Sequence, residues 1–120
     1  MRDIKRDLSI IEDILEYCDE IEDAIERFGN YYESLLGDKH YKNSVSMCIL
    51  QIGELSSRLT EDFKQKYNAV PWREIKDMRN VTAHEYRKME IDILWDTITA
   101  DIPNLRKYCE KILELEDCHE

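Results

Sequence analysis

Glycine and proline are both scarce in this chain, which has 3 Gly and 2 Pro among 120 residues. A β-sandwich or a β-barrel needs many tight turns, and such turns depend on these two residue types. Their scarcity therefore argues for helices, and we predict an all-α fold. The length predicts a single domain, since domains typically contain roughly 100 to 200 residues. A chain of this size can bury a core without disulfides or metal.

Long apolar runs and paired cysteines are missing as well. No run approaches the roughly 18 residues of a membrane span, and the first residues lack the apolar core of a signal peptide. We therefore expect a cytosolic protein that does not engage a membrane. The 4 cysteines form no CxxC pair, which argues against a zinc knuckle or a redox motif. Cys18, Cys48 and Cys109 lie among apolar residues at helical spacing, so we expect buried, reduced thiols.

Basic residues are too few for a protein that coats nucleic acid. The chain has 17 basic and 27 acidic side chains, a formal net charge of −10, which argues against a broad electrostatic RNA-binding surface. The acidity lies at the ends, because residues 1–30 carry 4 basic and 10 acidic side chains and residues 108–120 carry 1 and 5. Residues 71–90 have a positive balance, with 5 basic and 4 acidic side chains. This segment is either a solvated helical face or a small basic cleft.

Apolar residues recur at helical spacing along most of the chain. The pattern predicts a helix over residues 4–28, a central core helix with Asp38 as N-cap, and a short helix with Thr60 as N-cap. Pro71 suits the first turn of the following helix. The apolar stripe on the first helix is wide, which suggests more than one neighbour, a second subunit among them.

Several positions interrupt the helical pattern. Gly53 inside the central helix costs about 1 kcal/mol relative to Ala, and close packing of another helix explains it best. Gly29 either caps the first helix or only weakens it. Pro103 is expected to break or kink the last helical element, because it removes a backbone donor and clashes with the preceding turn. The periodicity fails over residues 82–89, and such polar stretches in compact domains often carry function.

A group of polar side chains adjoins this stretch, in the segment Arg79-Asn80-Val-Thr-Ala-His84-Glu-Tyr86. On a helix, Asn80 and His84 lie one turn apart on one face, and His84 and Tyr86 share a side if the chain then becomes extended. An arginine can hold a phosphodiester with paired donors, and a histidine can move protons near neutral pH. RNA supplies its own nucleophile, the 2′-hydroxyl, so its cleavage needs no metal. From these residues alone, a structural histidine remains the alternative.

The same segment resembles the Arg-x4-His-x-Tyr motif of the HEPN superfamily, and more closely the HepT-like toxins of MntA/HepT toxin–antitoxin modules. Further residues follow the pattern of that family in order, over roughly residues 4–115. They are Ile49-Leu50-Gln51-Ile52-Gly53-Glu54-Leu55, Leu59, Phe63, Val70-Pro71-Trp72, Ile75, Met78, Ile91-Asp92, Trp95, Ile102-Pro103 and Leu105.

The resemblance implies an all-α, HEPN-type antiparallel bundle of four to five helices, spanning residues 1–120 with a core of about 4–115 and a frayed acidic tail. It implies a homodimer with a shared cleft, and a metal-independent ribonuclease toxin without cofactors. Arg79 and His84 would be its catalytic pair, with Asn80 as a supporting polar residue. The family's partner, a nucleotidyltransferase antitoxin, transfers AMP to the motif tyrosine, which corresponds to Tyr86.

Two other functions remain open. One is a HEPN-fold binding module that positions a nucleotide or the substrate of a partner nucleotidyltransferase and has little nuclease activity. The other is a purely structural helical dimer. Intact Arg79, His84 and Tyr86 favour the nuclease, and a neighbouring nucleotidyltransferase reading frame would fit the nuclease and the binding module equally.

Overall fold

All secondary structure in the described part of the chain is helical, which confirms the all-α prediction. A computed structural model describes residues 2–79 and 88–117. The elements are α1 (Arg2–Phe28), α2 (Tyr32–Gly37), α3 (Lys39–Ser56), α4 (Glu61–Lys66), α5 (Trp72–Asp77), α6 (Lys88–Asp96), a π-helical segment (Thr97–Asp101) and α7 (Ile102–Asp117).

The core lies where α3 packs against α1, and α7 covers another part of α1. The middle of α3 is fully or nearly fully buried at Val45, Cys48, Ile49 and Ile52, as predicted for a central core helix. Two neighbours within the same chain account for the width of the apolar stripe on α1. The stripe therefore gives no indication of a second subunit.

Both predicted N-caps are present. The Asp38 carboxylate accepts hydrogen bonds from the backbone N–H groups of His40 (2.8 Å) and Tyr41 (3.2 Å). The Thr60 hydroxyl accepts one from the N–H of Phe63 (3.2 Å). These side chains satisfy donors that the first turn of a helix leaves without partners. Their positions fix where α3 and α4 begin.

The end of α1 is set by Gly29. Its φ of +115° is strained for residues with a Cβ, and an added Cβ would lie 2.7 Å from the Ser34 hydroxyl oxygen. Its N–H donates to the carbonyl of Ile25 (2.9 Å). Of the two interpretations of Gly29, the helix cap is therefore the correct one.

Pro103 lies in the first turn of α7 and does not end the helix. Helical structure continues from α6 through the π-helical segment into α7, so the distortion is confined to the turn before the proline. A π-helical turn inserts one residue and shifts the hydrogen-bond register, which accommodates the missing proline donor. The hydroxyls of Thr97 and Thr99, both in the π-helical segment, donate to carbonyls of α6. Thr97 bonds to Ile93 (2.8 Å) and Thr99 bonds to Trp95 (2.7 Å).

Polar side chains join helices that are distant in sequence. Asp7 of α1 is buried and accepts hydrogen bonds from the N–H (3.0 Å) and hydroxyl (2.7 Å) of Thr60. This carboxylate fixes the start of α4 on α1. At the other end of the chain, Glu116 of α7 pairs with Lys66 (2.7 Å) and accepts a hydrogen bond from the Tyr67 hydroxyl. These contacts connect the short α4 region to both long helices.

The cysteine prediction is confirmed for the three thiols within the described residues. Cys18, Cys48 and Cys109 are free and buried. Burial raises the pKa of Cys18 to about 12 and that of Cys48 to about 11, and it raises the pKa of Cys109 as well. A thiol that stays protonated is a poor nucleophile, so these cysteines serve as small apolar core residues.

Among the described helices, none is long and apolar enough to cross a membrane.

Candidate active site

Arg79 lies two residues beyond the end of α5, and α5 is anchored to the core by its apolar face. Trp72 and Ile75 are buried, and the Trp72 indole N–H donates to the carbonyl of Tyr67 (3.1 Å). The helix packs against α3. The backbone that carries Arg79 is therefore held by the core, although the arginine side chain itself is 39 % exposed.

Gly53 brings α3 and the end of α5 into close contact. A Cβ added at Gly53 would lie 3.1 Å from the Arg79 Cβ and 3.3 Å from the carbonyl oxygen of Lys76. Both distances are tighter than ordinary van der Waals contact, so a larger residue would push the Arg79 backbone away from α3. The prediction of close helix packing at Gly53 is confirmed, and the segment packed there is the one that carries Arg79.

Glu54, the residue after Gly53, pairs with Arg79. The Glu54 Oε1 and Arg79 Nη1 atoms are 2.7 Å apart, and the two side chains are 42 % and 39 % exposed. An ion pair this exposed adds little to stability, but it restricts the direction of the guanidinium. The sequence placed Glu54 in the family pattern, but no role beside Arg79 was inferred for it. The available signal was its place beside a glycine in the middle of a core helix.

The other predicted site residues, Asn80, His84 and Tyr86, lie outside the described residues. Of the predicted group, the structure therefore places Arg79 alone. Within the described ranges, no group of three His, Cys, Asp or Glu side chains could hold a metal ion.

A groove of about 440 Å³ runs between α5 and α7 and reaches Met78, the residue before Arg79. Its lining combines apolar side chains such as Ile75 with the carboxylates of Glu74 and Asp101. Burial, and secondarily the charge of Asp96, raises the pKa of Asp101. Carboxylates repel phosphate groups, so this groove does not suit an anionic ligand.

The described residues form an all-helical fold with Arg79 just beyond the short helix α5. His84 and Tyr86 follow it in the sequence at the spacing of the HEPN motif. The family model described as "Ribonuclease HepT-like" matches residues 14–112. The chain therefore belongs to the HepT-like ribonuclease family, which confirms the resemblance seen in the sequence.

Individual relatives agree with this assignment. A candidate RNase of Methanocaldococcus jannaschii is 33 % identical over 113 residues, which cover 94 % of this chain and 89 % of that protein. A protein of Thermococcus cleftensis, named as a candidate ribonuclease HepT, is 33 % identical over 102 residues, 81 % of this chain and 93 % of its own length. A candidate RNase of Caldanaerobacter subterraneus subsp. tengcongensis is 32 % identical over 106 residues, 88 % of this chain and 93 % of its own. No solved structure gives a significant match.

Proposed function

We propose that this chain is a metal-independent endoribonuclease and the toxin of a toxin–antitoxin module. Its membership in a family of ribonucleases supports RNA as the substrate. The observation that carries the assignment of the site is the placement of Arg79, which has a core-anchored backbone, a partly exposed guanidinium and an acidic partner 2.7 Å away.

In the proposed reaction, the 2′-oxygen of RNA attacks the adjacent phosphorus, and the bond from phosphorus to the leaving 5′-oxygen breaks. His84 takes the proton from the 2′-hydroxyl, and a proton from the imidazolium so formed or from water passes to the leaving 5′-oxygen. Acid–base help of this kind contributes about 10² to 10⁴ in rate. The guanidinium of Arg79 stabilises the charge on the phosphorane oxygens. Asn80 supports the phosphate as a further hydrogen-bonding group.

We place this site in a cleft of a homodimer. The chain carries a net charge of −10, and one copy offers a single modestly basic segment around Arg79. A two-fold axis through that segment would bring two copies of Arg79 and His84 together, and the local positive charge would double. The acidic ends of the chain would then point away from the RNA.

The test of nuclease toxicity is inducible expression of the protein alone, beside His84→Ala and Arg79→Ala variants. We expect wild type to arrest growth and degrade cellular RNA, and both variants to be harmless, because each lacks one half of the catalytic pair. Growth curves and total RNA integrity are the measurements, with immunoblots to confirm equal protein levels. Toxicity without RNA loss, or an equally toxic His84→Ala variant, would favour the non-catalytic binding module.

The proposed control of the toxin is transfer of AMP to Tyr86 by a partner nucleotidyltransferase. The phenol oxygen would bond to the α-phosphorus of ATP, and pyrophosphate would leave. The product adds bulk and negative charge where the RNA phosphate must lie, so modified protein should be inactive.

Intact-mass measurement after co-expression with a nucleotidyltransferase from a neighbouring reading frame tests this control. We expect a mass increase of one or more AMP groups on wild type and none on Tyr86→Phe, which lacks the acceptor oxygen. Tyr31→Phe is the matched control, because Tyr31 is 70 % exposed and lies outside the motif. AMP that persists on Tyr86→Phe would refute the assignment.

A further inference from the structure

We propose that Glu54 is a positioning residue, which holds the Arg79 guanidinium in the orientation that the RNA phosphate requires. This inference rests on the proposed ribonuclease function and deepens it. Glu54 belongs to α3, and Arg79 follows α5. The site would therefore depend on the packing of two elements separated by 25 residues in the chain.

The first observation is the contact itself. An arginine side chain has several rotatable bonds, and a partly exposed one can adopt many conformations in solution. A charge-assisted hydrogen bond of 2.7 Å from Nη1 to the Glu54 Oε1 selects those in which the guanidinium lies near α3. Because Arg79 works through planar, directional donors, a restricted guanidinium plane matters more to catalysis than the charge alone.

The second observation is the adjacent Gly53. The close approach of α3 to the Arg79 backbone, with 3.1 Å from the Gly53 Cβ position to the Arg79 Cβ, sets how far the Glu54 side chain must reach. Two consecutive residues of α3 thus act on Arg79. Gly53 sets the distance between α3 and the Arg79 backbone, and Glu54 binds the guanidinium.

Glu54 has an opposing electrostatic effect. Its carboxylate lies beside the group that would bind RNA phosphate, so its negative charge repels the substrate in the ground state. A residue that orients Arg79 for the transition state and also weakens substrate binding should raise kcat and raise KM. This combination separates positioning from simple structural support.

The kinetic test uses purified full-length Glu54→Gln and Glu54→Asp with a fluorescent single-stranded RNA. Glu54→Gln keeps an acceptor but loses the charge, so we expect kcat to fall about tenfold or more through misorientation, with a lower KM. Glu54→Asp keeps the charge but is one methylene shorter, so kcat should fall without the decrease in KM. Thermal melts should stay close to wild type, because an exposed pair contributes little stability.

The matched control is Asp23→Asn. Asp23 pairs with Arg27 at 3.0 Å on the exposed surface of α1, so this substitution makes the same change of charge away from the site. It should leave kcat and KM unchanged. If Glu54→Gln also leaves kcat unchanged, or lowers it only in proportion to a loss of folded protein, the positioning role is wrong.

A double-mutant cycle tests whether Glu54 acts through Arg79. Single-turnover cleavage at saturating RNA, which is insensitive to ground-state affinity, can be measured for wild type, Glu54→Gln, Arg79→Ala and the double variant. We expect Glu54→Gln to lower the cleavage rate in the presence of Arg79 and to have little further effect in its absence. An equal change in both backgrounds would overturn the inference. Wild type that neither binds nor cleaves RNA would overturn the proposed function itself and this inference with it, whereas active wild type with unaffected variants overturns the inference alone.

Discussion

Purified Arg79→Ala protein should cleave RNA at least about 100-fold more slowly than wild type, which is the loss expected when one preorganised group at a developing oxyanion is removed. An alanine has neither the paired donors that hold the phosphate nor the charge that offsets the phosphorane. Arg79→Lys should be only partly active, since an ammonium keeps the charge but lacks the planar fork of donors. The assay is run in EDTA, and we expect wild-type cleavage to persist there because the proposed reaction uses the 2′-hydroxyl as nucleophile and no metal ion.

Arg27→Ala is the matched control for this prediction. Arg27 is also paired with a carboxylate, that of Asp23, and its side chain is 75 % exposed. Arg27→Ala therefore removes the same kind of side chain at a position distant in sequence from the motif. Its rate should equal that of wild type. If Arg79→Ala cleaves within about threefold of Arg27→Ala while both are folded, Arg79 is not part of the catalytic machinery.

Local sequence signals predicted where α3 and α4 begin, because the physical causes of these starts are local. Asp38 and Thr60 bond to donors two or three residues away, so residue type and the following apolar pattern suffice to locate α3 and α4. The resemblance to a known family selected Arg79 in the same way, from a short motif. Gly53 was also informative, because a glycine in a core helix has few explanations other than close packing.

The contacts that tie the helices together were not predictable from the same sequence. Asp7 bonds to Thr60 across 53 residues, and Glu54 bonds to Arg79 across 25. Neither partner stands out by type, because a carboxylate on an acidic, amphipathic helix is usually solvated. Whether such a side chain is buried or paired depends on the crossing of two helices, and local periodicity does not specify that crossing.

The short helix α2 shows that burial, too, does not follow from the apolar pattern alone. Apolar and aromatic residues are frequent in this helix and just before it, yet only some of them are buried. Leu35 is fully buried, whereas Leu36 is 39 % exposed and Tyr31, just before the helix, is 70 % exposed. A helix of six residues packs only one side against the core, so adjacent apolar residues cannot all reach it.

Tyr41 is the residue whose truncation should destabilise the fold most clearly. Its side chain is fully buried near the start of α3, its ring stacks on Phe28 with centroids 5.2 Å apart, and its hydroxyl donates to the carbonyl of Gly29 (3.1 Å). Tyr41→Ala should cost about 3–5 kcal/mol. Domains of this kind are stable by only about 5–15 kcal/mol, so this variant should melt about 10 °C or more below wild type.

The two contributions of Tyr41 can be separated by Tyr41→Phe, which keeps the ring and removes the hydroxyl. That variant leaves the Gly29 carbonyl without this donor and should lose about 1 kcal/mol, so most of the effect of Tyr41→Ala must come from the lost ring volume. Tyr31→Ala makes the same truncation at an exposed position and should stay within about 0.5 kcal/mol of wild type. Thermal and urea unfolding of the three variants would measure the differences. Equal losses for Tyr41→Ala and Tyr31→Ala would contradict a core in which Tyr41 joins the end of α1 to the beginning of α3.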